Sequence, residues 1–267
     1  MTWHLTDIPK KAYFYWGTQT MPFVRYLTLE TFRKFHPDWE IILHRKEVLD
    51  PSPYVDNCWH KVDSVVDKVE VFDVEKEFGV EFPLKMITIF ADTYRYLALD
   101  KTGGLYMDMD HLIFKNIESM AWNTLENNQY DAFILKPPYH HFVVSKANTS
   151  YNKKITAKQK EHLPTTMARV LDVTACTEWV KRTPEDKVLI IPFDTTEENF
   201  DANGPKSKNA FALNWHGSGA CNKYDEITEA NYMESDHPLA ACIRYCLTGN
   251  IGKANGIGTF DWIERYG

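Results

Sequence analysis

The stretch from Ala91 to Asp110, ADTYRYLALDKTGGLYMDMD, constrains the fold more than any other part of the chain. From Leu84 onwards apolar residues recur at helical spacing, and Gly103 and Gly104 interrupt the pattern where a helix C-cap is expected. The residues after these glycines predict a strand that leads into two acidic side chains. A helix followed directly by a strand is a building unit of α/β proteins.

The two acidic residues, Asp108 and Asp110, are separated by one residue. On an extended backbone their side chains leave the same face, so both can approach one ligand, while Met109 points into the packing. Carboxylate oxygens suit Mg²⁺ or Mn²⁺, which keep positions open for water and substrate phosphates. The pair therefore suits a diphosphate held through a divalent metal, although such pairs also occur in solvated turns.

Asp92 and Arg95 lie three residues apart and are therefore neighbours on the predicted helix. One interpretation is a surface ion pair worth at most ~1 kcal/mol. The other follows from the apolar residues around them, because a charged pair in such surroundings needs partners that a polar ligand can supply.

These residues together resemble the glycosyltransferases whose sugar-binding region contains a DXD motif. That family includes yeast initiation mannosyltransferases, capsular polysaccharide enzymes and, more distantly, glucosylating bacterial toxins. The resemblance covers Ile8–Arg45, with its opening IPKKAYFYWG and later HPDWEIILHR, and Met86–Asp110. The residues that match the family pattern, without a gap, are Ala91, Asp92, Arg95, Tyr96, Leu99, Gly103, Gly104, Tyr106, Asp108 and Asp110.

The resemblance implies a role for each matching polar residue. Asp108 and Asp110 are expected to hold the metal and the ribose or diphosphate of a sugar nucleotide. Asp92 and Arg95 are expected to contact the donor sugar, and Tyr106 to shape the same pocket. The family retains anomeric configuration, but no residue here identifies itself as a nucleophile or base, so no catalytic residue is predicted.

Two further segments extend the expected site. Trp16 corresponds to a family tryptophan that lies near the nucleotide base, although Gly17 follows it directly where the family usually has one residue between. A core tryptophan at a strand end is the alternative interpretation. Later, ALNWHGSGA places His216 and Ser218 after a predicted strand. His216 is predicted as a third metal ligand and Ser218 as a donor contact, the alternative for His216 being a surface histidine.

Composition limits the classes of function. The 267 residues carry a net charge of −7, which argues against a nucleic-acid-binding surface. No apolar run approaches the ~20 residues of a membrane span, and the N-terminal residues lack the pattern of a secretory signal, so a cytoplasmic, soluble or peripherally associated protein is expected. The five cysteines lack CxxC spacing and predict neither a disulfide framework nor a zinc site.

Strand and helix patterns alternate along the chain, which predicts an α/β fold with a mainly parallel, twisted sheet flanked by helices. With the resemblance, the expectation is a Rossmann-like fold of the GT-A type in a single domain, residues 1–267. Its donor-binding part is expected at about 8–115 and its acceptor and C-terminal part at about 130–267. The predicted strands are 12–16, 39–44, 131–136, 188–193 and 210–215, and residues 111–114 are expected to continue the strand that leads into the carboxylate pair. The predicted helices include 22–35 and 164–182.

Two other stretches are weaker. Ser145–His162 is rich in lysine and is expected to be a solvated loop or a lid over the donor or acceptor. Gly249–Gly258 lacks the spacing of a phosphate-binding loop and is expected to form turns.

The sequence as a whole predicts a metal-dependent glycosyltransferase that uses Mn²⁺ or Mg²⁺ to move a sugar from a UDP- or GDP-sugar to a glycan hydroxyl. A metal-dependent phosphoester or pyrophosphate hydrolase is the alternative enzyme. An inactive carbohydrate-binding protein on the same fold is the third possibility.

Overall fold

The computed structural model describes residues 2–52, 54, 56–79, 81, 87–136, 139–162, 180–192, 196–197, 200–201, 204–205, 209–215, 224 and 226–249. The helices within them are α1 (Phe23–Phe35), α2 (Val74–Phe78), α3 (Ile87–Thr102), α4 (Ser150–His162) and α5 (Pro238–Thr248). The strands are β1 (Lys11–Tyr15), β2 (Glu40–Arg45), β3 (Lys68–Val71), β4 (Gly104–Met107), β5 (His111–Ile113), β6 (Ala132–Leu135), β7 (Phe142–Ser145), β8 (Val188–Ile191), β9 (Thr196–Glu197), β10 (Phe200–Asp201), β11 (Gly204–Pro205) and β12 (Ala212–Asn214). Short 3-10 helices cover Trp59–Ser64, Ile117–Ser119, Glu126–Gln129 and Pro184–Asp186.

Seven strands form the main sheet, in the order β3-β2-β1-β4-β7-β6-β8. All neighbouring pairs are parallel except those of β7, which runs antiparallel to both β4 and β6. Strands β2 and β3 lie on one side of β1, and β4 lies on its other side. The order of strands therefore reverses between β1 and β4, and ligands of open α/β sheets bind at such a switch point, beyond the carboxyl ends of the strands.

Alternate residues of β1 face two separate apolar cores. Ala12 and Phe14 belong to the core that includes α1, whereas Tyr13 and Tyr15 belong to the core that includes α3 and α4. Strands buried on both faces are typical of a parallel sheet covered by helices. The predicted α/β class, with a mainly parallel sheet between helices, is confirmed.

A smaller sheet of order β5-β12-β9 adjoins the main one. Its strand β5 is separate from β4, because the chain bends at Met109, so the prediction that residues 111–114 continue the preceding strand is wrong. One edge of β5 pairs antiparallel with β12. On α1, the hydroxyls of Thr28 and Thr31 accept the N–H groups of His111 and Ile113 at 3.2 and 3.1 Å, which ties β5 to that helix.

The lysine-rich stretch predicted to be a loop or lid is instead helical from Ser150 onwards. Tyr151, Ile155 and Gln159 recur every fourth residue and are all buried, which gives α4 one face against α3. The backbone N–H of Asn152 bonds to the hydroxyl of Thr149 at 3.1 Å, at the start of the helix. About one buried side chain per turn on this face, with the polar Gln159 among them, was too sparse a pattern to stand out among the lysines.

The two glycines of the motif are required by the path of the chain. Gly103 ends α3 with φ +67°, a conformation that L side chains rarely adopt. Gly104 has φ +123°, and a Cβ there would lie 2.6 Å from the carbonyl oxygen of Lys11. A side chain at Gly104 would therefore push β4 away from β1, the two strands that flank the switch point.

The other predicted elements are close to those observed. The predictions at 12–16, 22–35, 39–44, 131–136, 188–193 and 210–215 correspond to β1, α1, β2, β6, β8 and β12, with ends within two residues. Most of the predicted helix at 164–182 lies outside the described residues, and residues 180–182 are not helical. The predicted turns beyond Gly249 also lie outside the described residues. None of the described helices combines the length and apolar character needed to cross a bilayer.

Candidate functional site

The sequence-predicted polar residues meet at the carboxyl edge of β1 and β4. Trp16 is the residue after β1, and Asp108 is the residue after β4. These two strands are parallel neighbours, with Ala12 beside Leu105 and Tyr13 beside Tyr106. Residues that follow them therefore emerge on the same side of the sheet, at its topological switch point.

Arg95 is the centre of the site and is 1% exposed. Its Nη2 donates to Oδ1 of Asp92, as the helical spacing predicts, and lies 3.1 Å from Oδ1 of Asp108. Its Nη1 donates to the carbonyl of His140, and its guanidinium lies 4.8 Å from the ring centroid of Tyr106. Because guanidinium is a planar fork of five donors, one side chain can hold several acceptors in fixed positions.

Asp108 accepts hydrogen bonds from two directions. The phenol of Tyr106 donates to its Oδ1, and Arg95 donates to the same carboxylate. Its backbone N–H donates to the carbonyl of His141 at 2.9 Å, which ties the turn to the segment that enters β7. The side chain of Asp108 is still 27% exposed, so this carboxylate is anchored by the protein yet accessible to a ligand.

Asp110 is more deeply buried, with 10% of its side chain exposed, and is held from three elements. Its Oδ1 accepts from Nδ2 of Asn214 at 3.1 Å and lies 3.2 Å from Nδ1 of His111. Its Oδ2 lies 3.9 Å from Nη1 of Arg25 on α1. Nε2 of His111 lies 3.1 Å from the same Asn214 amide, so that amide donates to both residues when Nδ1 of His111 carries the ring proton.

Burial and neighbouring charges shift the pKa values of these acids in opposite directions. Burial raises the pKa of Asp92 to about 7, against the lowering effect of Arg95. Burial also raises the pKa of Asp108, Arg95 opposes that shift, and the charge of Asp110 adds to it. Burial works in the same sense on Asp110, but the hydrogen bond from His111 and the charge of Arg25 outweigh it, so the pKa of Asp110 is lowered.

Trp16 borders the site at the carboxyl end of β1. It is 6% exposed, its indole Nε1 donates to the carbonyl of Thr20 at 2.9 Å, and its ring lies 6.4 Å from that of Tyr54. The guanidinium of Arg25 lies 5.7 Å from its ring centroid. Trp16 thus packs in the core and borders the site at once, so its role as a base-stacking residue stays a prediction.

The predicted residues His216 and Ser218 lie outside the described part of the chain. The residue before them is described: the backbone N–H of Trp215 donates to the carbonyl of Asp110 at 3.1 Å. Strand β12 therefore leads the chain to the carboxylate pair. Among the described residues, no group of three or more His, Cys, Asp or Glu side chains is placed to hold a metal ion. The metal-ligand roles of Asp108, Asp110 and His216 stay predictions.

The structure adds four polar residues that the sequence patterns did not indicate. Arg25 looked like one residue of an amphipathic helix, and Asn214 like one residue of a short strand. His111 was assigned to a strand continuing from β4. His140 lies just before β7, and its Nε2 is 3.8 Å from Oδ1 of Asp92. Each becomes part of the site only through contacts between residues distant in sequence.

Residues 22–132 match the model of a protein family described as the glycosyltransferase sugar-binding region containing a DXD motif. The matched residues include Arg25, Asp92, Arg95, Asp108 and Asp110, all of which meet at the switch point. Over these residues the chain is similar to that glycosyltransferase family. The predicted family, and with it the prediction of a glycosyltransferase, is confirmed. Trp16, Asn214, His216 and Ser218 lie outside the matched residues.

Comparison with curated protein sequences gives no match. Solved structures with a similar chain path include the PaToxG glycosyltransferase, at 15% identity and a TM-score of 0.44 over 64% of this chain and 67% of that one. A glycosyltransferase involved in glycosylation of the major capsid of PBCV-1 is 11% identical, with a TM-score of 0.45 over 82% of this chain and 98% of that one. The galactosyltransferase LgtC, in complex with donor and acceptor sugar analogs, is 12% identical, with a TM-score of 0.40 over 96% and 99%. Such distant likenesses do not bear on the chemistry of this chain.

Proposed function

We propose that the chain is a metal-dependent glycosyltransferase of the GT-A type that moves a sugar from a UDP- or GDP-sugar to a hydroxyl of a glycan, with retention. The observation that supports this most is the pair of carboxylates, Asp108 and Asp110, at the switch point of the sheet and within the matched family region. We further propose that residues 1–267 act as one domain. A cytoplasmic location stays a prediction.

The carboxylate pair fits a hard divalent cation. Asp108 is anchored through Tyr106 and Arg95 and partly exposed, and Asp110 has its orientation fixed by Asn214. Mg²⁺ and Mn²⁺ accept one or two protein carboxylates and complete their coordination with water and substrate phosphates. Two fixed carboxylates are therefore enough protein ligands for such a site, and we propose His216 as an additional ligand. When bound, the cation supplies a positive charge that neutralises a departing diphosphate.

The residues of the chain contribute binding and orientation. Arg95 holds Asp92 and Asp108 in fixed positions, so the groups that we propose for the sugar and the diphosphate keep a constant spacing. Asp92 is buried, and we propose that it accepts a hydrogen bond from a hydroxyl of the donor sugar, while Arg95 donates one to the same sugar. Trp16 is proposed to flank the nucleotide base and Ser218 to contact the diphosphate. A donor fixed in this way reacts through proximity, with no side chain assigned as base.

The binding experiment is a thermal-shift panel of UDP- and GDP-sugars with and without Mn²⁺. One donor is expected to raise Tm only when Mn²⁺ is present, because a ligand that binds the folded state alone stabilises it. Asp110→Asn is expected to lose this stabilisation. Asp7→Asn is the matched control, because Asp7 precedes β1 at the opposite edge of the sheet and forms an exposed pair with Lys146 at 3.2 Å. Equal stabilisation of wild type and Asp110→Asn would contradict the proposed site.

A second measurement separates the three classes of function. With an isotopically labelled donor, a glycosyltransferase places the label on an added acceptor glycan. A hydrolase releases the label to water at the same rate with or without acceptor. A carbohydrate-binding protein retains the intact donor, and either of these last two results would contradict the proposal.

A further inference from the structure

Arg25 is a charged side chain on the buried face of α1. It is 6% exposed, and the helix residues on either side of it, Val24 and Tyr26, are also buried. Burying a guanidinium is costly unless its charge and donors have partners. The partners in the structure lie in the turn between β4 and β5 and next to Trp16, and this turn carries both carboxylates of the proposed site.

Arg25 contacts that turn at two residues. Its Nη1 donates to the carbonyl of Met109, the residue between the two carboxylates, at 3.3 Å. The same Nη1 lies 3.9 Å from Oδ2 of Asp110, and the guanidinium lies 5.7 Å from the ring centroid of Trp16. Asn214 holds the other oxygen, Oδ1, at 3.1 Å. Asp110 is therefore oriented from both sides, by α1 and by β12.

Arg25 belongs to a stripe of α1 side chains that bind alternate residues of one segment. Arg25, Thr28 and Thr31 are spaced three apart and contact the backbone of Met109, His111 and Ile113 respectively. The two threonines satisfy the backbone of β5 without any charge. The cation occurs only at the end of the stripe that faces Asp110, which argues for a role toward that carboxylate beyond attachment of the segment.

We propose that Arg25 is a positioning residue that holds the Asp108–Asp110 turn in the orientation that binds a divalent cation. This inference rests on the proposed function, because it assumes that the two carboxylates bind the metal. Residues that orient metal ligands without touching the metal contribute about 10- to 100-fold to metal affinity in characterised sites. Simple electrostatics predicts the opposite sign, because removal of a positive charge near a cation site would strengthen cation binding.

The test measures Mn²⁺ binding alone, by titration followed by the electron paramagnetic resonance signal of free Mn²⁺, with no nucleotide present. We compare the wild type with Arg25→Met and Arg25→Lys. Arg25→Met is expected to weaken Mn²⁺ binding about tenfold or more. Arg25→Lys keeps the positive charge but loses the planar fork of donors. Its Mn²⁺ affinity is therefore expected to lie between those of the wild type and Arg25→Met. When activity is measured at saturating donor and Mn²⁺ is titrated, the Mn²⁺ concentration for half-maximal activity is expected to rise by a larger factor than kcat falls.

Thr31→Val is the matched control, because it removes a hydrogen bond from the other end of the same stripe. It is expected to lower the unfolding midpoint while Mn²⁺ affinity stays within about twofold of wild type, and far-UV circular dichroism shows which variants are folded. If Arg25→Met is unfolded, the inference is tested by the Mn²⁺ affinity of Arg25→Lys compared with that of the wild type.

Two outcomes would overturn the inference, and they are distinguishable. If the wild type binds Mn²⁺ and the folded Arg25 variants bind it as tightly or more tightly, Arg25 does not position the turn, and the proposed function stands. If the wild type binds no Mn²⁺ at all, the metal site itself fails, and the inference about Arg25 fails with it.

Discussion

Nη2 of Arg95 lies 3.1 Å from Oδ1 of Asp108, which joins the middle of α3 to the turn after β4. The same guanidinium also binds Asp92, so two acids from different elements share one cation. The family motif spaces these residues over seventeen positions, and the fold brings them into contact. The charged residues of the motif thus form one ionic network in the folded chain.

Arg95→Met should be among the most destabilising substitutions in the chain. It leaves Asp92 and Asp108 without their shared cation, and breaking a buried ion pair from one side costs about 3–5 kcal/mol. Urea unfolding followed by circular dichroism measures the change. Lys101→Met is the matched control on the same helix, because Lys101 and Glu77 form an exposed pair that contributes at most ~1 kcal/mol. Equal effects of the two substitutions would contradict the network.

Asn214→Ala should lower both stability and donor binding. Nδ2 of Asn214 lies 3.1 Å from Oδ1 of Asp110 and 3.1 Å from Nε2 of His111, both buried, and loss of such a donor costs roughly 1–3 kcal/mol. The Mn²⁺-dependent rise in Tm with the preferred donor should shrink as well. Asn231→Ala, in an exposed turn, serves as the control for the thermal-shift measurement. An unchanged donor response in a destabilised Asn214→Ala would show that the contact is structural only.

Gly104→Ala should destabilise the chain much more than Gly249→Ala. Both glycines have positive φ, which costs other residues roughly 1–2 kcal/mol. At Gly249 a Cβ meets none of the described residues within 4 Å, whereas at Gly104 it would lie 2.6 Å from the backbone of Lys11. Urea unfolding gives the loss of unfolding free energy for each variant relative to the wild type. The difference between the two losses therefore measures the clash between β4 and β1. Similar values would mean that the strands can separate without cost.

His36 should make stability fall as the pH is lowered from about 6.5 towards 4. Its Nε2 accepts the backbone N–H of Ile117 at 2.8 Å, and its Nδ1 faces the carbonyl of Phe32 at 3.1 Å, so the folded protein holds the neutral ring. Burial lowers the pKa of His36 to about 4, while the unfolded chain takes up its proton near pH 6.5. The unfolded state therefore binds more protons in this window, and up to roughly 3 kcal/mol of stability is lost across it.

His36→Gln keeps an acceptor for Ile117 but removes the titration. Unfolding free energies of the two proteins, measured from pH 7 to pH 4, should converge as the pH falls. Parallel curves over that window would rule out a contribution from His36.

The sequence predicted the parts of this protein that depend on local spacing. The helical repeat before Gly103, the cap at that glycine and the neighbouring positions of Asp92 and Arg95 all follow from the geometry of one helix. The strand β1 was visible because both of its faces are buried and its residues form one apolar run. The family pattern then indicated which acids belong together.

The features that the sequence did not reveal depend on contacts across the chain. The bend at Met109 is set by hydrogen bonds of the next strand to α1 and β12, and no local signal distinguishes it from a continuing strand. Among the described residues of α4 four are buried, Tyr151, Asn152, Ile155 and Gln159, and two of these are polar, so the sequence shows little apolar periodicity. Arg25 and Asn214 are isolated polar residues in apolar segments, and their partners could not be known before the fold.

The reversed strand β7 has a consequence for how the site can diversify. Because β7 runs against its neighbours, its first residue, Phe142, lies beside Met107 at the end of β4, and the connection that enters it reaches the carboxyl edge. In this connection the backbone carbonyl of His140 accepts a hydrogen bond from the Arg95 side chain, and the carbonyl of His141 accepts one from the backbone N–H of Asp108. Backbone contacts of this kind do not depend on the identity of the side chain, although Nε2 of His140 also lies 3.8 Å from Oδ1 of Asp92. We therefore expect substitutions along this connection to leave the backbone contacts to Arg95 and Asp108 in place.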